Sequence, residues 1–113
     1  MERAMGDYKI GTEWEIFQGN GYNVSVDIHR DQLDGYSTFA VSASQSDGST
    51  GSGEGIVKGD DFHMRIQWNN HTAGVYNGRF GLDGSITGVT FDELHPENVA
   101  TWRSSRQFKR AGG

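Results

Sequence analysis

The sequence predicts an all-β domain, an antiparallel up-and-down β-barrel of about eight strands, and three observations carry that reading. Apolar and polar residues alternate with period two in run after run, turn residues punctuate almost every junction, and no stretch shows the apolar spacing of a helix of ordinary length. The clearest alternations are residues 14–18, Val24-Val26-Ile28, Phe39-Val41-Ala43 and Phe62-Met64-Ile66-Trp68, each the pattern of a strand buried on one face. On that register Trp14, Val24, Val26, Ile28, Phe39, Val41, Phe62, Met64, Ile66 and Trp68 point inward, and Asn23, Ser25, Asp27, His63 and Arg65 point outward. Weaker strands follow over residues 53–57, 75–80, 86–91 and 101–108. The junctions are Gly19-Asn20-Gly21, Asp34-Gly35, Ser46-Asp47-Gly48, Lys58-Gly59-Asp60, Asn69-Asn70, Asp83-Gly84 and His95-Pro96-Glu97-Asn98, all rich in turn formers. Pro96, the single proline, is expected in the last of these turns because a ladder strand needs its N–H.

Hairpin-length links favour closure into a barrel over a Greek-key sandwich, which needs longer crossovers, and closure removes both exposed edges. The 113 residues divide into an N-terminal extension over residues 1–10, one barrel domain over residues 11–110 and a short tail over residues 111–113. Glycine inside a strand packs nothing and is tolerated where the chain coils or another group comes close. Gly53, Gly55, Gly74, Gly78 and Gly88 are therefore expected to relieve a tightly coiled sheet and to leave room for the rings of Trp14, Trp68, Tyr76 and Trp102.

Composition excludes several function classes. A net charge of -5 argues against nucleic acid as partner, since phosphate binding leaves a basic footprint. No apolar run approaches the roughly 20 residues of a membrane helix, and Met1-Glu2-Arg3-Ala4-Met5-Gly6 lacks the apolar centre of a signal peptide. The chain as it stands reads as soluble and cytoplasmic with no membrane partner; an export signal trimmed away would leave the same sequence, so the compartment stays open. With no cysteine there is no disulfide, no thiolate metal site and no cysteine nucleophile.

Chemistry-bearing residues are sparse. His29, His63, His71 and His95 show none of the paired spacings of zinc motifs, so no metal is expected. No Gly-x-Ser-x-Gly elbow exists, and no serine has an evident histidine partner. Glu54, flanked by Gly53 and Gly55, would be a binding or acid/base group if it faced inward; a solvated charge facing outward is the favoured reading. Asp92 and Glu93 beside His95 suggest an acid/base pair, but adjacent strand residues point to opposite faces, so a surface turn is the better account. Arg103, Arg106, Lys109 and Arg110 read as the solvated end of the last strand, with one arginine free to cover a ring. No catalytic residue and no cofactor is nominated, and binding ranks above catalysis.

Four segments, Gly11-Thr12-Glu13-Trp14, Ile66-Gln67-Trp68-Asn69-Asn70, Gly74-Val75-Tyr76-Asn77-Gly78 and Ala100-Thr101-Trp102-Arg103-Ser104, stand in the order and spacing of avidin and streptavidin, which the chain resembles from Gly11 onward. The resemblance implies that Trp14 lies on the floor of the barrel, that Trp68 walls a ligand cup with Tyr76, Asn77 and Thr90 nearby, and that a neighbouring subunit lends Trp102 to the cup. It implies a dimer or tetramer with Trp102 at the subunit contact. The chain also resembles the wider calycin group, in which an arginine of the last strand covers the first-strand tryptophan, here Arg106 or Arg110. It departs from the biotin-binding pattern: Ile16 and Asn20 stand where the family has an asparagine and a serine, and the last-strand aspartate falls near Lys109 and Arg110. Tyr76 and Thr90 replace two tryptophans of the cup. Biotin is therefore not the expected ligand.

The function these residues suggest is a non-catalytic binding module, with a small-molecule cup at the open end of an avidin-like barrel formed by Trp68, Tyr76, Trp14, Asn77, Thr90, Glu54 and Trp102. The first alternative is a lectin-like, glycan-binding module using the rings and amides of residues 18–22 and 68–74. A calycin-type enzyme or protein inhibitor is the second. Against all three stands a barrel whose rings simply fill the interior.

Overall fold

A computed structural model of the chain describes residues 8–29 and 38–110, Arg110 by its backbone alone. The expected Asp34-Gly35 turn, residues 1–7 and the tail lie outside the described residues. Ten strands are present among the described residues: β1 (Tyr8–Lys9), β2 (Glu13–Gln18), β3 (Asn23–His29), β4 (Thr38–Gln45), β5 (Thr50–Lys58), β6 (Asp61–Trp68), β7 (Ala73–Phe80), β8 (Ile86–Asp92), β9 (His95–Ser104) and β10 (Lys109–Arg110). Strands β2 to β9 pair each with the next, and β9 returns to β2, so the sheet is a closed antiparallel up-and-down barrel of eight strands.

The register follows the alternation. All ten residues expected inward are buried, and their outward neighbours are exposed or half-buried, because a slip of one residue would have exchanged the two faces. Three hairpins turn on one device. The N–H groups of Gly21, Gly48 and Gly84 donate to the carbonyls of Gln18, Gln45 and Gly81, each glycine holding a positive φ. This is the three-residue hairpin loop whose last residue must adopt the left-handed region. The β6–β7 hairpin has the same bond, His71 N–H to Trp68 carbonyl, with His71 at φ 70 in the glycine position.

The interior glycines serve the rings, though not the ones the sequence pairs with them in every case. A Cβ at Gly55 would come within 2.5 Å of the Phe39 ring, and one at Gly78 within 2.9 Å of the Trp102 ring. Gly88 faces Gly78 across the ladder and lies so close to the Asn77 carbonyl that a Cβ there would overlap it. Trp14 has no glycine opposite. Its indole N–H donates to the Ile10 carbonyl at 2.8 Å instead.

The last strand departs from expectation. It begins at His95 and ends at Ser104, and Pro96, expected in a turn, lies inside it. The turn is only Glu93-Leu94, held by the Asp92 carboxylate accepting the Leu94 N–H at 2.9 Å. Because Asp92 pairs with His95 while Phe91 pairs with Val99, Pro96, Glu97 and Asn98 form a bulge with no ladder partners, where the missing N–H costs nothing.

One end of the barrel is plugged. Short strands β1 and β10 pair beside it, and Tyr8, Ile10 and Phe108 are buried in the same core as the barrel residues. Tyr8 stacks on Phe80 at 3.8 Å, Phe108 meets Trp14 edge-on at 5.1 Å, and Phe62 packs against Trp14, Phe39, Phe80 and Trp102. Of the two arginines expected to cover Trp14, Arg106 is displaced by one ring. Arg106 lies over Phe108 at 5.5 Å, and Phe108 covers Trp14, since a ring from the plug reaches the indole first. Arg103 sits over Phe17 at 4.8 Å, and the side chain of Arg110 is outside the described residues.

Candidate functional site

The chain of rings ends at Tyr76, which meets Trp102 edge-on at 5.9 Å. Above it the barrel mouth opens into a cup of about 430 Å³ lined by Trp68, Gly74, Tyr76 and Thr90 within and by Gln18, Asn20, Gln45, Thr72, Asp92 and Asn98 toward the rim. The cup exists because β8 and β9 continue past the end of β2. Gln18 pairs with Trp102, and everything in β9 before Thr101 stands free of β2 as a wall. The interior is thus filled below and open above, so neither a deep cavity nor a wholly packed core describes it.

A polar relay lines one side. The Tyr76 hydroxyl donates to Gln18 Oε1 at 2.9 Å, Gln18 Nε2 donates to Asn20 Oδ1 at 3.1 Å, and the Tyr22 N–H donates to the same oxygen. Burial pushes the Tyr76 phenol up to about 12, with the Thr90 hydroxyl bonded to it pulling slightly the other way. The phenol is therefore a neutral donor at any physiological pH and supplies no phenolate for catalysis. Among the described residues no lysine, arginine or histidine lines the cup, and Asp92 is its one charged side chain.

Trp68 closes the other side. Its side chain is buried, only 5% exposed, yet its indole N–H makes no hydrogen bond to any described residue. The N–H groups of Trp14 and Trp102 are both paired, the latter with the Asn77 and Val89 carbonyls at 3.2 and 3.1 Å. A Cβ placed on Gly74 would sit 3.4 Å from Trp68 Nε1 and 3.3 Å from Tyr76 Cε1, so the free donor faces the slot over Gly74 beside the tyrosine ring.

Of the seven residues nominated from sequence, the structure brings Trp68, Tyr76 and Thr90 together in the cup. The other four lie elsewhere. Trp14 is on the plugged floor beneath Phe62, and Trp102 is packed 3% exposed in the core of its own barrel, its ring against Gly78, so its own chain suffices to place it. Asn77 follows inward Tyr76 and so points outward, where its Oδ1 lies 2.6 Å from His63 Nδ1. Glu54 alternates with inward Gly53 and Gly55 and is exposed on the outer face beside Arg65. Glu93, as the alternation requires, faces away from Asp92. Two bonds from Arg65, at 2.7 and 2.9 Å, hold its carboxyl below the usual range. Sequence reasoning missed Gln45, Asp92 and Asn98 as cup residues; each lies two positions from Ala43, Thr90 or Ala100, but that spacing does not say which end of the barrel they rise from.

A larger hollow, about 770 Å³, lies outside the barrel on β2–β4 between Glu13, Glu15, Ser25, Asp27, Ser42 and Ser44. It is an open saddle whose one ring among the described residues, Trp14, is buried in the core, and the cup is the better candidate.

The architecture defines a class: a small closed eight-stranded barrel with one plugged end and one open, ring-walled end. Two solved structures are similar to it in fold. A redesigned β-barrel, mFAP1, bound to DFHBI, is similar with a TM-score of 0.58 at 17% identity, covering 88% of this chain and 93% of that one. EF1p2_mFAP2b bound to DFHBI is similar with a TM-score of 0.53 at 13% identity over 82% of this chain and 88% of that one. At such identities the likeness speaks for the fold. No protein-family model and no curated protein sequence matches the chain.

Proposed function

We propose that the protein is a non-catalytic, small-molecule-binding barrel whose site is the open-end cup, used in the manner of an avidin-like barrel. The observation that carries this reading is the pairing of Trp68 and Tyr76 across Gly74 at the bottom of a concavity with a polar rim, the arrangement small-ligand sites favour. That both similar barrels are bound to a small molecule, DFHBI, adds support at the level of architecture. Ile16, fully buried where the biotin pattern needs a polar group, argues for a ligand other than biotin.

Glycan binding is the second reading, favoured by the amides of Gln18, Asn20, Gln45 and Asn98 around the rings. A small-molecule panel, with biotin as comparison ligand, and a glycan array, each read by tryptophan fluorescence or calorimetry, separate the two. The expected outcome is small-molecule binding lost in Trp68→Ala, with biotin weak or inert. Glycan binding alone would reverse the order of the two readings, and silence across both panels would leave the rings as mere packing.

A further inference from the structure

The cup carries more information than its shape, because its polar groups are unequally satisfied. A buried donor left unpaired costs about 1 to 3 kcal/mol relative to a paired one, and such groups are rare enough in folded proteins to call for an explanation. Trp68 Nε1 is such a donor, and it lies beside Gly74 in the lining of the cup. The Tyr76 hydroxyl is already engaged with Gln18, so it competes weakly for the same acceptor. Beside the slot over Gly74, Asp92 pairs with that glycine across the β7–β8 ladder; it uses Oδ1 on the Leu94 N–H, and its Oδ2 has no partner among the described residues. Among the described residues no cationic side chain lines the cup to receive an anion.

We infer that the ligand is a neutral or cationic ring compound whose carbonyl oxygen accepts the Trp68 indole N–H over Gly74, with any amino group turned toward Asp92. This rests on the cup being the binding site. Within it, an amide-type carbonyl is the strongest neutral acceptor that fits beside a ring in a slot walled by two aromatics. A carboxylate would accept the same N–H but would set its charge against that of Asp92, with no cation lining the cup among the described residues to offset either. The inference thus selects on charge as well as on shape.

The test uses four probes of nearly one size on the full, 15N-labelled chain: benzamide, benzoate, 4-(aminomethyl)benzamide and a methyl hexoside. The three indole N–H resonances are followed by two-dimensional NMR, with that of Trp68 assigned by its disappearance in Trp68→Phe. Benzamide is expected to move the Trp68 resonance and leave those of Trp14 and Trp102 in place, with the millimolar affinity a ligand of this size permits. Benzoate is expected to bind about tenfold or more weakly. The aminomethyl compound should bind several-fold tighter than benzamide at low salt, an advantage lost in Asp92→Asn. Gly74→Ala, which sets a methyl in front of Nε1, should abolish the benzamide shift while the Trp14 and Trp102 resonances report an intact fold.

Benzamide binding that leaves the Trp68 resonance unmoved, benzoate binding as tightly as benzamide, or the hexoside alone shifting that resonance would each overturn the inference while the cup remained a binding site. Failure of all four probes at millimolar concentration would remove the cup reading along with it.

Discussion

Trp14, Trp102 and Trp68 mark three depths of one barrel, from the plugged end to the mouth, and they differ in how completely their surroundings answer them. At the plugged end every ring has ring neighbours, and each indole N–H below the cup has a backbone carbonyl. At the mouth Trp68 has neither an acceptor for its N–H nor another aromatic ring within stacking range among the described residues. Folding stability and ligand recognition are therefore laid out along the barrel axis: the lower rings satisfy one another, and the upper ring is held in place with one bond unspent.

The largest expected effect tests the lower half. Phe62 is fully buried and touches four rings, so Phe62→Ala should cost about 3 to 5 kcal/mol in urea unfolding, the range for a large aromatic removed from a packed core. A loss no larger than that of an exposed substitution would mean the lower rings are not the stabilising centre.

The mouth has its own pH signature. Tyr76 is neutral in the folded barrel up to about 12, against 10.0 for the ordinary phenol. A group whose folded pKa is raised contributes stability that is complete below the unfolded value and declines as pH rises through the folded value. The wild-type barrel should thus lose about 2 to 3 kcal/mol between pH 10 and pH 12 through this residue, and Tyr76→Phe should lack that part of the decline. Parallel urea titrations of the two proteins across that window measure it. Identical pH profiles would show that the phenol is not held in a desolvated place.

A matched pair of substitutions sharpens the contrast between depths. Trp102→Phe and Trp68→Phe remove the same atoms from two buried sites, but only the first breaks hydrogen bonds, those to the Asn77 and Val89 carbonyls. The first should therefore cost about 1 kcal/mol more than the second, the net worth of a buried hydrogen bond. Equal costs would indicate that Trp68 is as fully partnered as Trp102 and would weaken the case for a ligand acceptor at the mouth.

The barrel was legible in the sequence because one rule, alternation with period two, runs through most of the strands that build it. Where that rule fails, so did the reading. Strands β1 and β10 are two residues each and carry no period, and the bulge at Pro96, Glu97 and Asn98 interrupts the alternation of β9, which hid its first half. At the site the order of reliability was reversed. Trp68, Tyr76 and Thr90 entered through resemblance to a family, and so did Trp14, Trp102 and Asn77, which the alternation or the depth of the ring places elsewhere. Gln45, Asp92 and Asn98 needed a fact no local pattern contains: which strand ends rise at the open mouth and which at the plug.

The smallest expected effect concerns the hairpin that carries Trp68 into the mouth. Gly21, Gly48 and Gly84 close their loops with a left-handed residue that has no side chain to strain, and His71 does the same job at φ 70. A side chain in that region costs free energy that glycine avoids, although histidine tolerates it better than a branched residue does. His71 is exposed and its side chain makes no hydrogen bond to a described residue, so its removal forfeits little. His71→Gly should therefore raise the stability by about 0.5 to 1 kcal/mol, the strain relieved being partly offset by the greater freedom of glycine in the unfolded chain. The urea midpoint measures the gain. A loss instead would mean that the histidine ring supports the β6–β7 loop, and with it the placement of Trp68 one turn away, which would make the mouth as tightly determined as the plug.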